Sequence, residues 1–141
     1  MPTFDPGEYQ LVVGSLLGHG FMDNTFIELT LDEDQFTKHV GADGERCRIR
    51  SRNRGAKLKV TLQQSSTFND DLSALHFLDL ETNEGAVPVM VKDRRGTTVV
   101  SASEGWVMKP ADITIGKEFN GREWTLDLGE VEVFHVGSAT R

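Results

Sequence analysis

Five arginines stand at strictly alternate positions, Arg46, Arg48, Arg50, Arg52 and Arg54. A period of two on an extended strand puts all five on one face and Cys47, Ile49, Ser51 and Asn53 on the other. A row of like charges at this spacing repels itself, so the strand is disfavoured unless an acidic surface faces it. That surface comes either from carboxylates on neighbouring strands of the same chain, with the row solvated, or from another molecule. Phe36 is the only aromatic near the row, which argues against binding single strands by base stacking.

The charge is unevenly spread. Glu45 to Lys59 reads ERCRIRSRNRGAKLK and sums to +6, whereas the whole chain of 141 residues carries -7. The remainder therefore carries -13, which argues against wrapping duplex DNA. A protein partner rich in carboxylates is favoured, and another copy of this chain has them. With 38% hydrophobic and 26% charged residues the chain has an ordinary globular composition. Its length fits one domain, residues 1–141, and folding at this size buries about 68–70% of the extended surface.

Alternation continues elsewhere. Thr25, Ile27, Leu29 and Leu31 form one apolar strand face, and Leu58, Val60 and Leu62 form another. Val87, Val89 and Val91 form a third; Pro88 among them predicts an edge strand or one-sided pairing. Arg95-Gly96 predicts a tight turn, so that Val89–Val100 reads as a hairpin. Trp106–Met108 reads as a short strand ended by Pro110, and Ile113 and Ile115 begin another. Near the end, Trp124, Leu126 and Leu128 share a face, then Val131 and Val133 invert the register after Gly129. A β-bulge at Gly129 explains the inversion, and two strands joined at Leu128-Gly129-Glu130 explain it equally. One segment reads as a helix from about Asp70 to Leu80, capped by Asn69 or Thr67 and ended by Asn83-Glu84-Gly85. The expectation is mostly β: a sandwich or barrel of about eight or nine strands with one packed α-helix.

Candidate chemistry is sparse. His19, His39, His76 and His135 fall at no metal-ligand spacing, and His76 beside Leu75 and Phe77 reads as a half-buried structural residue. Cys47 lies between Arg46 and Arg48, which would lower its thiol pKa if the charges were close. Strand neighbours point to opposite faces, however, which predicts that Cys47 packs inward. Asp32-Glu33-Asp34 lacks the spacing of a calcium loop and reads as a solvated acidic turn. Gly14, Gly18 and Gly20 lack the Gly-Lys-Ser/Thr ending of a phosphate loop and read as strand-turn glycines. No nucleophile, base and oxyanion hole come together, so no enzyme, cofactor or metal centre is expected. A single cysteine leaves no internal disulfide, and no apolar run reaches the ~18–20 residues of a membrane span. Met1 to Pro6 has neither the basic patch nor the apolar stretch of a secretory signal, which predicts assembly in a reducing cytoplasm.

Longer motifs resemble a known family. Asp34 to Glu45 (DQFTKHVGADGE) followed by the Arg-x-Arg strand, Val89-Met90-Val91-Lys92-Asp93, Gly116-Lys117-Glu118 and Gly121-Arg122-Glu123-Trp124 resemble structural proteins of contractile-tailed bacteriophages. The resemblance runs from about Tyr9 to Val136, and size, strand pattern and single helix are similar to tail tube proteins, whose fold type VI secretion tubes share. It implies a tail-tube-like fold and a structural subunit of six-fold rings stacked around a channel, located in the virion tail and assembled in the host cytoplasm. It implies as partners other copies of the chain, the tail sheath protein, the tape-measure protein, baseplate and terminator proteins, and double-stranded DNA in transit. A long hairpin then reaches the adjacent ring, Asp32 to Gly55 with its tip at Gly41-Ala42-Asp43-Gly44. Expected inter-ring or subunit contacts are Arg46, Arg48, Arg50, Arg52 and Arg54 with Asp32, Glu33 and Asp34; expected lumen-facing carboxylates are Glu28, Asp127, Glu130 and Glu132. The alternatives are another ring-forming tail component (terminator, baseplate or sheath-associated protein) and a stand-alone polyanion-binding module.

Overall fold

The computed structural model describes residues 9–21, 27–93, 98–117 and 121–134. The described elements are β1 (Tyr9–Val13), β2 (Leu16–Leu17), β3 (Ile27–Leu31), β4 (Phe36–Val40), β5 (Arg46–Arg50), β6 (Ala56–Gln63), α1 (Phe68–Thr82), β7 (Val87–Asp93), β8 (Thr98–Lys109), β9 (Gly121–Leu128) and β10 (Val131–Phe134). The fold is mostly antiparallel β with a single helix. An eight-stranded sheet has the order β2-β1-β7-β8-β9-β6-β3, with β10 also on β8; β4 and β5 form a separate two-stranded sheet.

Alternation places the core. Leu58 of β6 pairs with Leu126 of β9, which pairs with Val107 of β8, so all three share one face. Ala56, Leu58, Val60 and Leu62 are fully buried, as are Leu126 and Leu128. Leu11 and Val13 on β1, Val89 and Val91 on β7, and Val131 on β10 complete the same apolar cluster. Fully burying one Leu or Val side chain is worth about 1.5–3 kcal/mol, which makes this alternation the dominant determinant of the fold.

β8 is the hinge of the architecture. It pairs with β7 from Thr98 to Gly105, with β10 from Val100 to Ala102, and with β9 from Gly105 to Lys109. At Gly105 a Cβ would lie 2.6 Å from Val89 Cγ2 and 3.0 Å from Leu128 Cδ2. Only a residue without a side chain fits there.

The helix covers the core with its first half. Phe68 and Leu72 are buried, Leu75 is half-buried, and Leu78 is already exposed. Thr67 is helical in φ and ψ and makes no side-chain cap; the Phe68 N–H donates instead to Ser66 Oγ at 3.3 Å. Asn69 lies inside the helix and fastens it, its amide donating to the Gln63 and Ser66 carbonyls, each at 3.0 Å. Its Oδ1 accepts from Trp124 Nε1 at 2.8 Å. Asn83, with φ 59°, ends the helix in the left-handed region, in the segment expected to stop it.

Several expectations are corrected. β7 is an interior strand between β1 and β8; the ladder to β8 shifts register across Pro88, so the missing donor is accommodated by an irregularity and not by an edge. Trp106–Met108 belongs to the long β8, and Ile113 and Ile115 lie in an exposed loop. At Gly129 the second of the two readings holds: β9 ends at Leu128 and β10 begins at Val131; Leu128 and Val131 keep one register against β8, and the shift falls between Val131 and Val133. Val131 is consequently buried and Val133 exposed. Thr25 and the Arg95-Gly96 turn lie outside the described residues.

Candidate assembly surfaces

The arginine row lies on a hairpin rooted in the main sheet. Beyond the Leu31–Ala56 pair the two chains stay connected: the Asp32 N–H donates to the Gly55 carbonyl at 3.0 Å, and the Ser51 N–H to the Gln35 carbonyl at 2.7 Å. Ser51 Oγ donates to the Glu33 carboxylate, and the Asn53 side chain accepts from the Gly55 N–H at 3.0 Å. β4 and β5 then pair from Phe36↔Arg50 to Val40↔Arg46. The tip is closed by the Gly41 N–H on the Glu45 carbonyl at 2.8 Å, with Gly44 at φ 86°, where a side chain would be strained. Every residue of both strands is exposed. Two strands of five residues extend about 17 Å.

The register fixes what shares the arginine face. Arg46, Arg48 and Arg50 stand opposite Val40, Lys38 and Phe36, so the strand across contributes a further cation and two apolar side chains in place of carboxylates. Among the described residues none of the five arginines pairs with a carboxylate. Arg48 lies over the Phe36 ring, 3.9 Å from its centroid, and Arg54 donates to the Glu132 carbonyl at 3.4 Å. The single-strand row also needs correcting: β5 carries Arg46, Arg48 and Arg50, while Arg52 and Arg54 lie in the extended return to β6. Cys47 is exposed with Thr37, His39 and Ile49 on the second face, because among the described residues no layer packs against the hairpin. The spacing did not reveal the apolar component, Phe36, Val40 and Ile49, each about half exposed. The alternation of Phe36, Lys38 and Val40 was its available signal.

The acidic positions separate into groups. Asp32, Glu33 and Asp34 are exposed at the hairpin base. Glu28 and Asp127 share the outer face of the sheet, but Glu28 stands opposite Lys59, and Asp127 opposite Lys57. That face is therefore mixed in sign. Burial, then the Asp32 charge, raises the Asp127 carboxyl above its ordinary value, and Lys57 pulls it part of the way back. Glu130 is exposed in the link between β9 and β10, and Glu132 is exposed on β10 beside the hairpin base.

A groove lies between α1 and the loop after β8, lined in part by Ser73, His76, Phe77, Ala111 and Ile113. His76 is half-buried, and its Nδ1 lacks a hydrogen-bond partner. Among the described residues no group of three or more His, Cys, Asp or Glu could hold a metal ion, and no helix is long and apolar enough to cross a membrane.

The same fold occurs in solved structures of contractile injection machinery. The sheath/tube terminator of the extracellular contractile injection system PVC superposes with a TM-score of 0.57, 11% identity, and coverage of 92% of this chain and 94% of that one. The tube terminating cap of the anti-feeding prophage gives 0.56, 9% identity, and 92% and 89% coverage. The chain belongs to the Bacteriophage PhiTE tail tube protein family, whose model matches residues 8–135. It is also 27% identical over 144 residues to structural protein ORF10 of Pseudomonas phage KPP10, covering 96% of this chain and 83% of that protein. It is a structural component of a phage tail.

Proposed function

We propose that the chain is the tube subunit itself, six copies closing a ring and the rings stacking into a contractile-tail tube. Its partners are then further copies of itself, the sheath outside, the tape-measure protein inside during assembly, and baseplate and terminator proteins at the two ends. Double-stranded DNA passes the channel during infection. The observation that carries the reading is the β4–β5 hairpin: a self-repelling cationic arm, exposed along its whole length and without a carboxylate partner among the described residues. Such an arm is stabilised by an acidic neighbour, with aligned charge-assisted contacts worth about 1.5–3 kcal/mol each before desolvation. The outer edge of β3 supports lateral closure, since among the described residues it pairs only with β6, and a closed ring removes free edges. Glu28 and Asp127 are the lumen candidates on the sheet face, and the interleaved Lys57 and Lys59 keep that face from being uniformly acidic.

The second reading is a ring that caps the tube, as the printed names of the two solved structures describe those proteins. Negative-stain microscopy of the purified protein separates the readings. Tubes of indefinite length support the tube subunit, and rings that never stack contradict it.

A further inference from the structure

The helix carries two side-chain stripes. Phe68, Leu72 and Leu75 face the core. Asn69, Ser73 and His76 repeat that spacing one residue further on, with Phe77 beside them, and so form a neighbouring stripe turned about 100° from the first. This second stripe is one wall of the groove between α1 and the loop after β8, a cavity of about 300 Å³. Ala111 and Ile113 line it from the loop, and Trp124 and Arg122 from β9. These last two are two residues apart on one strand, so both point to the helix side of the sheet.

The walls keep apolar surface to give. Phe77 is 62% exposed and Ile113 80%, while Trp124 beneath them is only 4% exposed. The cavity lies at the small end for a ligand site, so it admits one side chain and not a helix. Asn69 and Ser73 are spent on the protein itself: the Asn69 amide on the Gln63 and Ser66 carbonyls and the Trp124 indole, and Ser73 Oγ on the Asn69 carbonyl at 2.8 Å. Two polar groups are not. His76 Nδ1 is, among the described residues, the one buried side-chain nitrogen or oxygen without a hydrogen-bond partner. In the Nε2–H tautomer it is an acceptor and calls for a donor. Arg122 donates to the Thr114 carbonyl at 3.2 Å and, among the described residues, pairs with no carboxylate; its guanidinium calls for one.

We propose that this groove takes a single tyrosine or tryptophan side chain of a partner polypeptide, with a carboxylate next to it in that polypeptide. The ring lies against Phe77, Ile113 and Trp124, its O–H or N–H donates to His76 Nδ1, and the carboxylate pairs with Arg122. Tyrosine and tryptophan combine an apolar ring with a hydrogen-bond donor on its edge, which is what the walls and the bare nitrogen together require. Phenylalanine fills the same walls and leaves Nδ1 bare; a basic neighbour meets Arg122 as a like charge. The inference holds for a tube subunit and for a capping ring alike.

The test is equilibrium dialysis of the full chain, in whatever assembly it forms, against dipeptides blocked at both ends. Tyrosyl-aspartate is expected to bind, phenylalanyl-aspartate roughly 2- to 10-fold more weakly, and tyrosyl-asparagine at least about tenfold more weakly. Arg122→Gln is expected to bring tyrosyl-aspartate down to the level of tyrosyl-asparagine and to leave the latter unchanged; an equal loss for both overturns the carboxylate contact. Equal binding of all three dipeptides, or binding of none, overturns the proposal. Free 4-hydroxyphenylacetate bound as tightly as tyrosyl-aspartate makes this a site for small acids and overturns the polypeptide occupant. Ala111→Trp fills the groove and is expected to abolish dipeptide binding while the circular dichroism spectrum and the chain's own assemblies stay as in wild type. Assemblies lost in the folded variant assign the groove to a second copy and overturn the proposal; if that variant fails to fold, the Arg122→Gln comparison decides alone.

Discussion

The guanidinium carbon of Arg48 sits 3.9 Å from the centroid of the Phe36 ring, although the ladder places Arg48 opposite Lys38 and Phe36 opposite Arg50. The contact is thus diagonal, reaching past a like charge to the face of an aromatic ring. An exposed cation–π contact is worth about 0.5–1 kcal/mol, enough to orient the arm without neutralising it. The charge stays available for a partner while the hairpin keeps its shape.

Phe36→Ala removes that contact. Amide exchange in β4 and β5 is expected to accelerate roughly 2- to 5-fold, in line with 0.5–1 kcal/mol of lost local stability. The global thermal midpoint is expected to stay nearly constant, because exposed substitutions fall within about 0.5 kcal/mol. Hydrogen exchange read peptide by peptide, beside a thermal melt, checks both parts.

Arg48→Glu with Arg50→Glu inverts the centre of the arm. Electron microscopy of assembled particles is expected to show no long tubes, with a circular dichroism spectrum and melting temperature close to wild type. Stable tubes of normal length from this variant contradict the role given to the row.

Asn69→Ala leaves the Trp124 indole N–H without its acceptor and takes one of two donors from each of the Gln63 and Ser66 carbonyls, which keep their backbone partners. A buried donor left unsatisfied costs about 1–3 kcal/mol. With roughly 2–4 °C lost per kcal/mol near this chain length, the melting temperature is expected to drop measurably.

Asp127 gives a pH signature. Its carboxyl is raised above 3.8 by burial first and by the Asp32 charge second, against the opposing pull of Lys57. The folded state therefore binds a proton more tightly than the unfolded state, and stability falls as pH rises from 3.8 through the raised value. Asp127→Asn removes that penalty. The variant is expected to be the more stable protein at neutral pH, and the advantage is expected to vanish below 3.8. Denaturant titrations across that range measure it.

The fold was legible where burial enforces alternation. β6 reads correctly from Leu58, Val60 and Leu62 because its apolar face is fully buried, and the helix reads correctly because Asn83 can adopt a positive φ. The misreadings share one cause: residue type does not reveal which neighbours a segment will have. Pro88 predicts an edge or one-sided pairing at that point; the strand is interior, and a register shift leaves Pro88 itself without a partner in the β8 ladder. Ile113 and Ile115 alternate like a strand, yet they lie in a loop held to β9 by a side chain, Arg122 on the Thr114 carbonyl, and outside the described strands. Cys47 was placed inward by the same alternation, which is two-sided only where a second layer exists to define an inside. The arginine row was the clearest site signal in the sequence; its apolar companions Phe36 and Val40 became recognisable once pairing showed which face they share.

The central claim is that this chain stacks without limit, and sedimentation velocity across a range of protein concentrations tests it most directly. A tube subunit is expected to pass from small species to a broad distribution that keeps growing as concentration rises, with a six-fold ring as the repeating unit in microscopy of the fastest fraction. Growth that halts at a single stoichiometry, with one ring as the largest species at every concentration, contradicts the tube and leaves a terminating ring in its place.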